Sequence, residues 1–138
     1  MFGKKKQPPI KSLIAQGTTI HGHVTFSDGL RIDGEVVGNV CASAGQGSLL
    51  VVSETAVVTG EVRADHIIVN GEVRGPVHAH DLLELQPKAR VEGDVAYRAV
   101  EMHQGAIITG KLQPLQGEQG EMAVASEKPP LKLASNNR

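Results

Sequence analysis

The chain has 138 residues, a net charge of −1 and 40% hydrophobic residues, which suits one folded domain with short tails. Phe2, Phe26 and Tyr97 are its only aromatic residues, which disfavours base-stacking nucleic-acid binders and aromatic-lined ligand pockets. The single cysteine, Cys41, leaves no internal disulfide and fits a reducing compartment. Since no apolar run approaches the roughly 20 residues of a membrane helix, we expect a soluble, cytoplasmic protein.

Charge is distributed unevenly along the chain. Residues 1–14 carry four lysines and no acid, whereas residues 15–115 carry 7 basic and 12 acidic residues. Attraction to phosphate dominates nucleic-acid affinity, so an acidic body argues against nucleic acid as its partner.

Residues 1–12 are predicted to be a disordered, basic, membrane-contacting tail. The segment contains Pro8-Pro9 and shows neither a strand nor a helix period. Its first residues have the composition of a peripheral anchor, in which each lysine near an anionic leaflet contributes about 1 kcal/mol. A solvated tail that only aids solubility is the alternative. The candidate membrane-binding residues are Met1, Phe2, Lys4, Lys5 and Lys6.

Residues 13–115 contain a repeated five-residue signature. It consists of an apolar residue, any residue, Gly, any residue, and then Val or Leu. Its six copies are 20–24, 32–36, 58–62, 69–73, 91–95 and 108–112. A second Gly-x-Val follows at Gly38 and Gly75. Alignment on glycines 22, 38, 60, 75, 93 and 110 gives intervals of 15–18 residues and one interval of 22. The long interval contains the small-residue segment 42–47, predicted to be an inserted loop that obscures the register of turns two and three.

Within each unit apolar residues alternate with polar ones, which is typical of strands with one buried face. Asp33-Gly34 and Asn70-Gly71 occupy the signature position that other copies fill with dipeptides unsuited to hairpin turns, so we interpret the glycine as a close approach between stacked units. One repeat unit of about 17 residues, at about 3.3 Å per residue, is long enough for three short strands, one on each face of a coil. The pattern therefore predicts an all-β fold, a parallel β-helix (β-solenoid) of about six turns.

Both ends of this solenoid are predicted to be uncapped. Residues 116–138 are rich in Gly, Gln, Glu, Ser and Pro and read as a disordered tail, and neither tail has the apolar period of a cap. Folding back of the tails as caps is the alternative. Open edges with apolar bore residues favour end-to-end addition. The predicted polymerisation interface comprises Ile14, Ile20 and Val24 in the first turn, and Ile108 and Leu112 in the last.

No catalytic, cofactor or metal site is predicted. The pairs His21/His23 and His78/His80 alternate with bore residues and are expected to face solvent, while His66 and His103 are isolated in the sequence. Cys41 is expected to be a free surface thiol. Ser48 and Ser53 have no evident base, and no phosphate-binding G-x-x-x-x-G-K-[ST] motif occurs. Lys128–Lys132, with two prolines, fits either a partner-docking segment or an inert spacer.

The Met-Phe-Gly-Lys-Lys-Lys start, the glycine-centred units and the short tails resemble the bactofilins, bacterial polymer-forming cytoskeletal proteins. The resemblance implies a right-handed β-helix that polymerises without nucleotide into non-polar filaments, with subunits meeting head-to-head and tail-to-tail. It also implies that the apolar-basic leader contacts anionic lipids of the inner membrane. The first expected partner is therefore a further copy of the same chain. Cell-envelope or morphogenesis proteins, positioned by the scaffold, are the other expected partners.

The main alternative is an enzyme, either a hexapeptide-type acyltransferase with a left-handed β-helix or a related trimer similar to carbonic anhydrase. Those families carry an apolar residue at every sixth position. Here the flanking apolar residues of a unit are four positions apart, as in Val58 and Val62. A monomeric adaptor on the same fold is a third possibility.

Overall fold

The computed structural model describes residues 9–43, 47–115 and 121–124, and every regular element in these ranges is a β-strand. All pairings between the strands are parallel, and strands recur on three faces as the chain winds through six turns. The predicted parallel β-solenoid of about six turns is therefore confirmed.

Face I opens each turn. It is built from β1 (Ile10–Ile14), β4 (Gly29–Ile32), β7 (Leu49–Val52), the second halves of β9 (Val62–Val69), β11 (Val77–Leu85) and β13 (Val95–Met102), and finally β16 (Glu121–Val124).

Faces II and III complete each turn. Face II stacks β2 (Thr19–His21), β5 (Glu35–Val37), β8 (Val57–Thr59), β10 (Glu72–Arg74), β12 (Arg90–Glu92) and β14 (Ile107–Thr109). Face III stacks β3 (Val24–Phe26), β6 (Val40–Ala42), the first halves of β9, β11 and β13, and β15 (Leu112–Pro114).

The core is a set of columns in which each turn contributes one residue at the same level. On face II the central column runs through Val36, Val58, Val73 and Val91, each at most 1% exposed. β-Branched side chains fit such a column because they pack on a pleated surface with little rotamer freedom to lose. Alternate residues point outward, as the period of two predicted.

The predicted close approach at glycine is confirmed at one corner, between faces II and III. There a Cβ on Gly38 would overlap the carbonyl oxygen of Gly22, and the same overlap joins each later glycine of the column to the one before it. These glycines also have φ between +133° and +155°, a region that L-residues avoid. The column consists of Gly22, Gly38, Gly60, Gly75, Gly93 and Gly110.

Two copies of the signature lie at a different corner, so the prediction that all six copies occupy the same position in a turn was wrong. Gly34 and Gly71 lie between faces I and II, where a Cβ on Gly34 would overlap the carbonyl oxygens of Ala15 and Thr18. This corner takes two residues at 33–34 and 70–71. It takes four in the other turns, where the fourth residue donates its N–H to the first, as from Ala56 to Ser53 (2.9 Å). Two of the long corners also contain a glycine: Gly17 in the first turn has nothing within 4 Å of its Cβ position, whereas a Cβ on Gly105 in the last turn would lie against the carbonyl oxygen of Pro87.

The inserted segment leaves the register of the coil intact. Six residues separate β6 from β7, whereas two separate β3 from β4 and the corresponding halves of β9, β11 and β13 are continuous. On either side of the inserted segment Val40 pairs with Val62 and Leu50 with Leu30, which settles the alignment of turns two and three. Ser48 is buried, and its Oγ accepts the N–H of Asp65 at 3.0 Å, anchoring the end of the segment to the next turn.

Strand pairing extends slightly beyond the predicted body of 13–115. The first strand begins at Ile10, within the segment assigned to the tail, and β16 pairs with β13 from within 116–138. These short strands pair with one neighbour each, so they lack the repeated alternation by which the sequence reveals a strand. Most of the two predicted tails lies outside the described residues.

Candidate assembly surfaces at the ends of the solenoid

Exposed large apolar side chains are concentrated at the two ends of the solenoid. Of the five in the described ranges, only Val37 (36% exposed) lies in a middle turn. The others are Ile10 (47%) and Leu13 (57%) in the first turn, and Ile107 (49%) and Leu112 (45%) in the last. Single exposed apolar residues are ordinary, but clustered ones at open strand edges mark interaction surfaces.

The first-turn end combines these side chains with unpaired backbone. Strands β1, β2 and β3 each pair only with the following turn, so their outer N–H and C=O groups have no strand partner in the described chain. Of the predicted interface residues, Ile14 is buried, whereas Ile20 and Val24 are half-buried. Ile14 therefore belongs to the core, and the apolar surface at this end is formed by Ile20 and Val24 with Ile10 and Leu13, which are not among the predicted residues.

The last-turn end has the same character on faces II and III. Strands β14 and β15 pair only with the preceding turn, and β16 adds one further strand on face I. Ile108 is half-buried above the central column of face II, and Leu112 is exposed above that of face III. The structure thus brings the predicted Ile108 and Leu112 together with Ile107, whose outward position depends on strand register.

The candidate membrane-binding residues, Met1, Phe2, Lys4, Lys5 and Lys6, lie outside the described residues. These residues precede β1, the strand at the first-turn end of the solenoid. Within β1, Lys11 forms an exposed ion pair with Asp28 (3.0 Å). The part of the chain that the structure describes contains no helix long and apolar enough to cross a bilayer.

The paired histidines point outward, as predicted. His21, His23 and His80 are exposed, and His78 is half-buried with its ring centroid 4.8 Å from that of His80. Burial, followed by the nearby Arg63 charge, lowers the pKa of His78, so this imidazole is held towards its neutral form. His80 Nδ1 lies 3.4 Å from Asp65 Oδ1.

Cys41 and the two serines have structural surroundings. Cys41 is a free, half-buried thiol on the outward side of β6, and burial raises its pKa, which disfavours the reactive thiolate. Ser53 Oγ donates hydrogen bonds to the Ile32 carbonyl (2.9 Å) and to Asp33 at the corner between faces I and II. Ser48 holds the inserted corner in place, as described above.

His66 and His103 are isolated in the sequence but lie near one carboxylate in the fold. Both lie on the outward side of face I, and their Nε2 atoms are 3.8 and 3.9 Å from the two carboxylate oxygens of Glu84. The three residues come from successive turns, so their proximity depends on strand register and leaves no short motif in the sequence.

A model of the family "Bactofilin: Polymer-forming cytoskeletal" matches residues 12–113 of the chain. Two bactofilins of Myxococcus xanthus (strain DK1622) are similar to it over 111 residues, or 80% of its length. BacP is 27% identical and BacO 26%. The aligned segment covers 45% of BacP, less than half of that relative, and 85% of BacO. No solved structure matches the chain.

The matched range contains nearly all of the solenoid and three of the exposed apolar residues of its end turns, Leu13, Ile107 and Leu112. The family's description, polymer-forming, agrees with open edges at both ends of the coil. The chain therefore belongs to the bactofilin family of polymer-forming cytoskeletal proteins.

Proposed function

We propose that this protein is a cytoskeletal scaffold that self-assembles without nucleotide into non-polar filaments on the cytoplasmic face of the inner membrane, where it positions cell-envelope or morphogenesis proteins rather than catalysing a reaction. One observation carries the assembly mode: of the five exposed large apolar side chains in residues 9–43 and 47–115, four lie on the two end turns, next to strand edges that have no partner in the described chain. Contact between ends would bury those side chains and pair those edges together.

The end surfaces support homotypic contacts, first turn to first turn and last turn to last turn. The exposed apolar residues of the first turn, Ile10 and Leu13, lie on face I, whereas Ile107 and Leu112 lie on faces II and III. The two ends therefore present different apolar patterns. A two-fold axis matches each pattern with itself, which is how self-complementary interfaces form.

The sequence and fold of the last turn support assembly without nucleotide. Residues 105–111 read G-x-x-x-x-G-K, but Leu112 stands where a phosphate-binding loop carries the Ser or Thr that contacts Mg²⁺. In the fold this stretch contains strand β14 and its flanking corners, with no helix following, so its backbone N–H groups join the sheet instead of surrounding a phosphate.

Electron microscopy of the purified protein without nucleotide tests assembly. We expect wild-type filaments, and Leu112→Asp should abolish or shorten them because it places a charge in the junction while leaving the core untouched. Val37→Asp is the matched control, since Val37 is similarly exposed but lies in a middle turn. Long filaments of Leu112→Asp would refute the last-turn junction, whereas uniform wild-type trimers would favour the acyltransferase or carbonic-anhydrase-like alternative and uniform monomers the adaptor.

Membrane contact is supported by the leader, which combines Met1 and Phe2 with three consecutive lysines. One copy would bind weakly, but a filament that presents many copies gains from effective concentration. Deletion of residues 1–7 should abolish co-sedimentation with anionic vesicles and leave filaments intact, while neutral vesicles should bind either protein poorly. Unchanged binding of the deletion variant to anionic vesicles would refute the membrane role of the leader.

A further inference from the structure

A group of metal-ligating side chains lies on the outward side of face I, in turns four to six. Ligand atoms of Glu84, Glu101 and His103 all lie within 4.8 Å of one another. His66 Nε2 is 3.8 Å from Glu84 Oε1, and His103 Nε2 is 3.9 Å from Glu84 Oε2. Glu84 is thus central, with a histidine near each of its two oxygens.

Strand register fixes this arrangement. Glu84 and Glu101 are direct partners in the pairing of β11 with β13. His66 lies opposite Leu82, two residues before Glu84, and His103 lies two residues after Glu101. Residues two apart on a strand share a face, so the four side chains form a diagonal band across three turns.

The band contains a repulsion between carboxylates and a buried imidazole nitrogen, and a bound cation would relieve both. Two carboxylates directly opposite each other in a sheet repel, and no lysine or arginine in the described ranges forms an ion pair with Glu84 or Glu101. The Nε2 atom of His103 has lost its contact with water and has no hydrogen-bond partner in the described chain. An imidazole nitrogen in that position is available as a ligand.

We propose that Glu84, Glu101 and His103, with His66 as the fourth ligand, form a binding site for a divalent transition-metal ion of the Zn²⁺ type. Imidazole nitrogens with carboxylate oxygens are ligands that Zn²⁺ accepts, whereas Mg²⁺ and Ca²⁺ prefer oxygen alone. Tetrahedral Zn²⁺ with bonds of about 2.0–2.2 Å separates its ligand atoms by about 3.4 Å. The separations among Glu84, Glu101 and His103 therefore close with side-chain movements of about 1 Å, while His66, which is outside this group, approaches the site from the side of Glu84 Oε1.

Neighbouring residues orient the central ligand. Gln86 Nε2 donates a hydrogen bond to Glu84 Oε2 at 3.3 Å, as partners of ligating carboxylates commonly do. Ile68 is the direct partner of Glu84 in the preceding turn, so an apolar residue neighbours the carboxylate on that side. The side chains of Glu84 and His66 are only 21% and 17% exposed, which limits competition from water.

The test is Zn²⁺ binding to the untagged, full-length chain, measured by calorimetry and by the visible absorption of Co²⁺ in the same site. We expect one ion per chain, displacement of Co²⁺ by Zn²⁺, and no displacement by Mg²⁺. Glu84→Gln and His103→Asn should each weaken binding at least about tenfold, since even the loss of an outer partner costs about 10–100-fold. Circular dichroism would show that both variants retain the solenoid.

His80→Asn is the matched control, because His80 and Asp65 also form an outward histidine–carboxylate pair but have no second carboxylate in a metal-sized cluster in the described chain. Its affinity should equal that of the wild type. The proposal is overturned if wild-type protein binds no Zn²⁺, if Glu84→Gln binds as tightly as wild type, or if His80→Asn loses binding to the same extent. None of these outcomes depends on filament formation.

Discussion

The middle turns and the end turns of this solenoid are built from the same kinds of residue in very different surroundings. In the central column of face II, Val36 and Val91 are almost fully buried, whereas Ile20 and Ile108, at the two ends of that column, are half-buried. Each turn of a solenoid is stabilised by its nearest neighbours, so an end turn has one stabilising interface instead of two. In the described ranges the end turns carry exposed apolar residues, at positions that a polar cap covers in monomeric solenoids.

Substitution of glycine gives the largest expected contrast between these regions. A Cβ on Gly75 would overlap the backbone of Gly60, whereas Gly22, first in the same column, has nothing within 4 Å of that position. Gly75→Ala should therefore destabilise the fold by more than about 4 kcal/mol and prevent folding. Gly22→Ala should cost only the strain of its positive φ, about 1–3 kcal/mol. Circular dichroism and urea unfolding would measure both effects.

The same Gly22→Ala variant also tests filament polarity. In a head-to-tail filament whose junction continued the glycine column, the new Cβ would meet the backbone of Gly110 in the next subunit and block growth. In a first-turn to first-turn contact the same Cβ faces a second first turn related by a two-fold axis, where the two glycine columns run in opposite directions and do not continue one another, so we expect Gly22→Ala to form filaments. A folded Gly22→Ala protein without filaments would favour head-to-tail assembly.

Leucine truncation gives a contrast of intermediate size. Leu50 is fully buried in a middle turn, and Leu50→Ala should lower the free energy of unfolding by about 2–5 kcal/mol. Leu112 is nearly half exposed, so Leu112→Ala should cost less than about 1 kcal/mol in the isolated subunit while reducing filament yield. Urea unfolding below the assembly concentration would measure the first quantity, and sedimentation the second. Equal losses of stability would contradict the distinction between core and end.

The smallest expected effect concerns Asp33, which connects turns two and three. Arg31 Nε donates to Asp33 Oδ1 at 2.9 Å and Ser53 Oγ donates to the same oxygen, and these hydrogen bonds lower the pKa of Asp33. A carboxylate whose pKa is lower in the folded state stabilises the fold above its unfolded pKa of about 3.9, and the stabilisation disappears as the pH falls through the folded value.

Asp33→Asn should therefore be slightly less stable than wild type at neutral pH, and the difference should shrink below about pH 4. Ser53→Ala should weaken the pH dependence without removing it, because Arg31 remains. Urea midpoints between pH 3 and pH 7 would measure both variants. A difference that stays constant down to pH 3 would show that Asp33 acts through packing rather than charge.

The features predictable from the sequence are those that repeat within one turn. Alternation revealed the strands because it depends on residues two positions apart, and the glycine-centred signature revealed the stacking corner because it is five residues long and recurs along the chain. Gly34 and Gly71 were misplaced since the corner between faces I and II has short and long forms that share the local signature. Only pairing between turns distinguishes those forms.

Features formed across turns escaped prediction for the same reason. His66, Glu84 and His103 are 18 and 19 residues apart in the chain, and the variable length of the corners hides that they are neighbours. Exposure at the ends was foreseen in kind but not in detail: Ile14 is buried while Leu13 is exposed, because the side of a strand depends on its register.

The exposed Ser43, which directly follows β6, gives each subunit a lateral landmark nearer the first turn than the last. Six turns at about 4.8 Å give a subunit length of about 29 Å, with the landmark about 10 Å from the first-turn end. In a non-polar filament, successive landmarks would therefore alternate between spacings of about 19 Å and about 38 Å along the axis. A probe attached at Ser43 would thus distinguish these alternating spacings from the equal spacing, about 29 Å, of a head-to-tail filament.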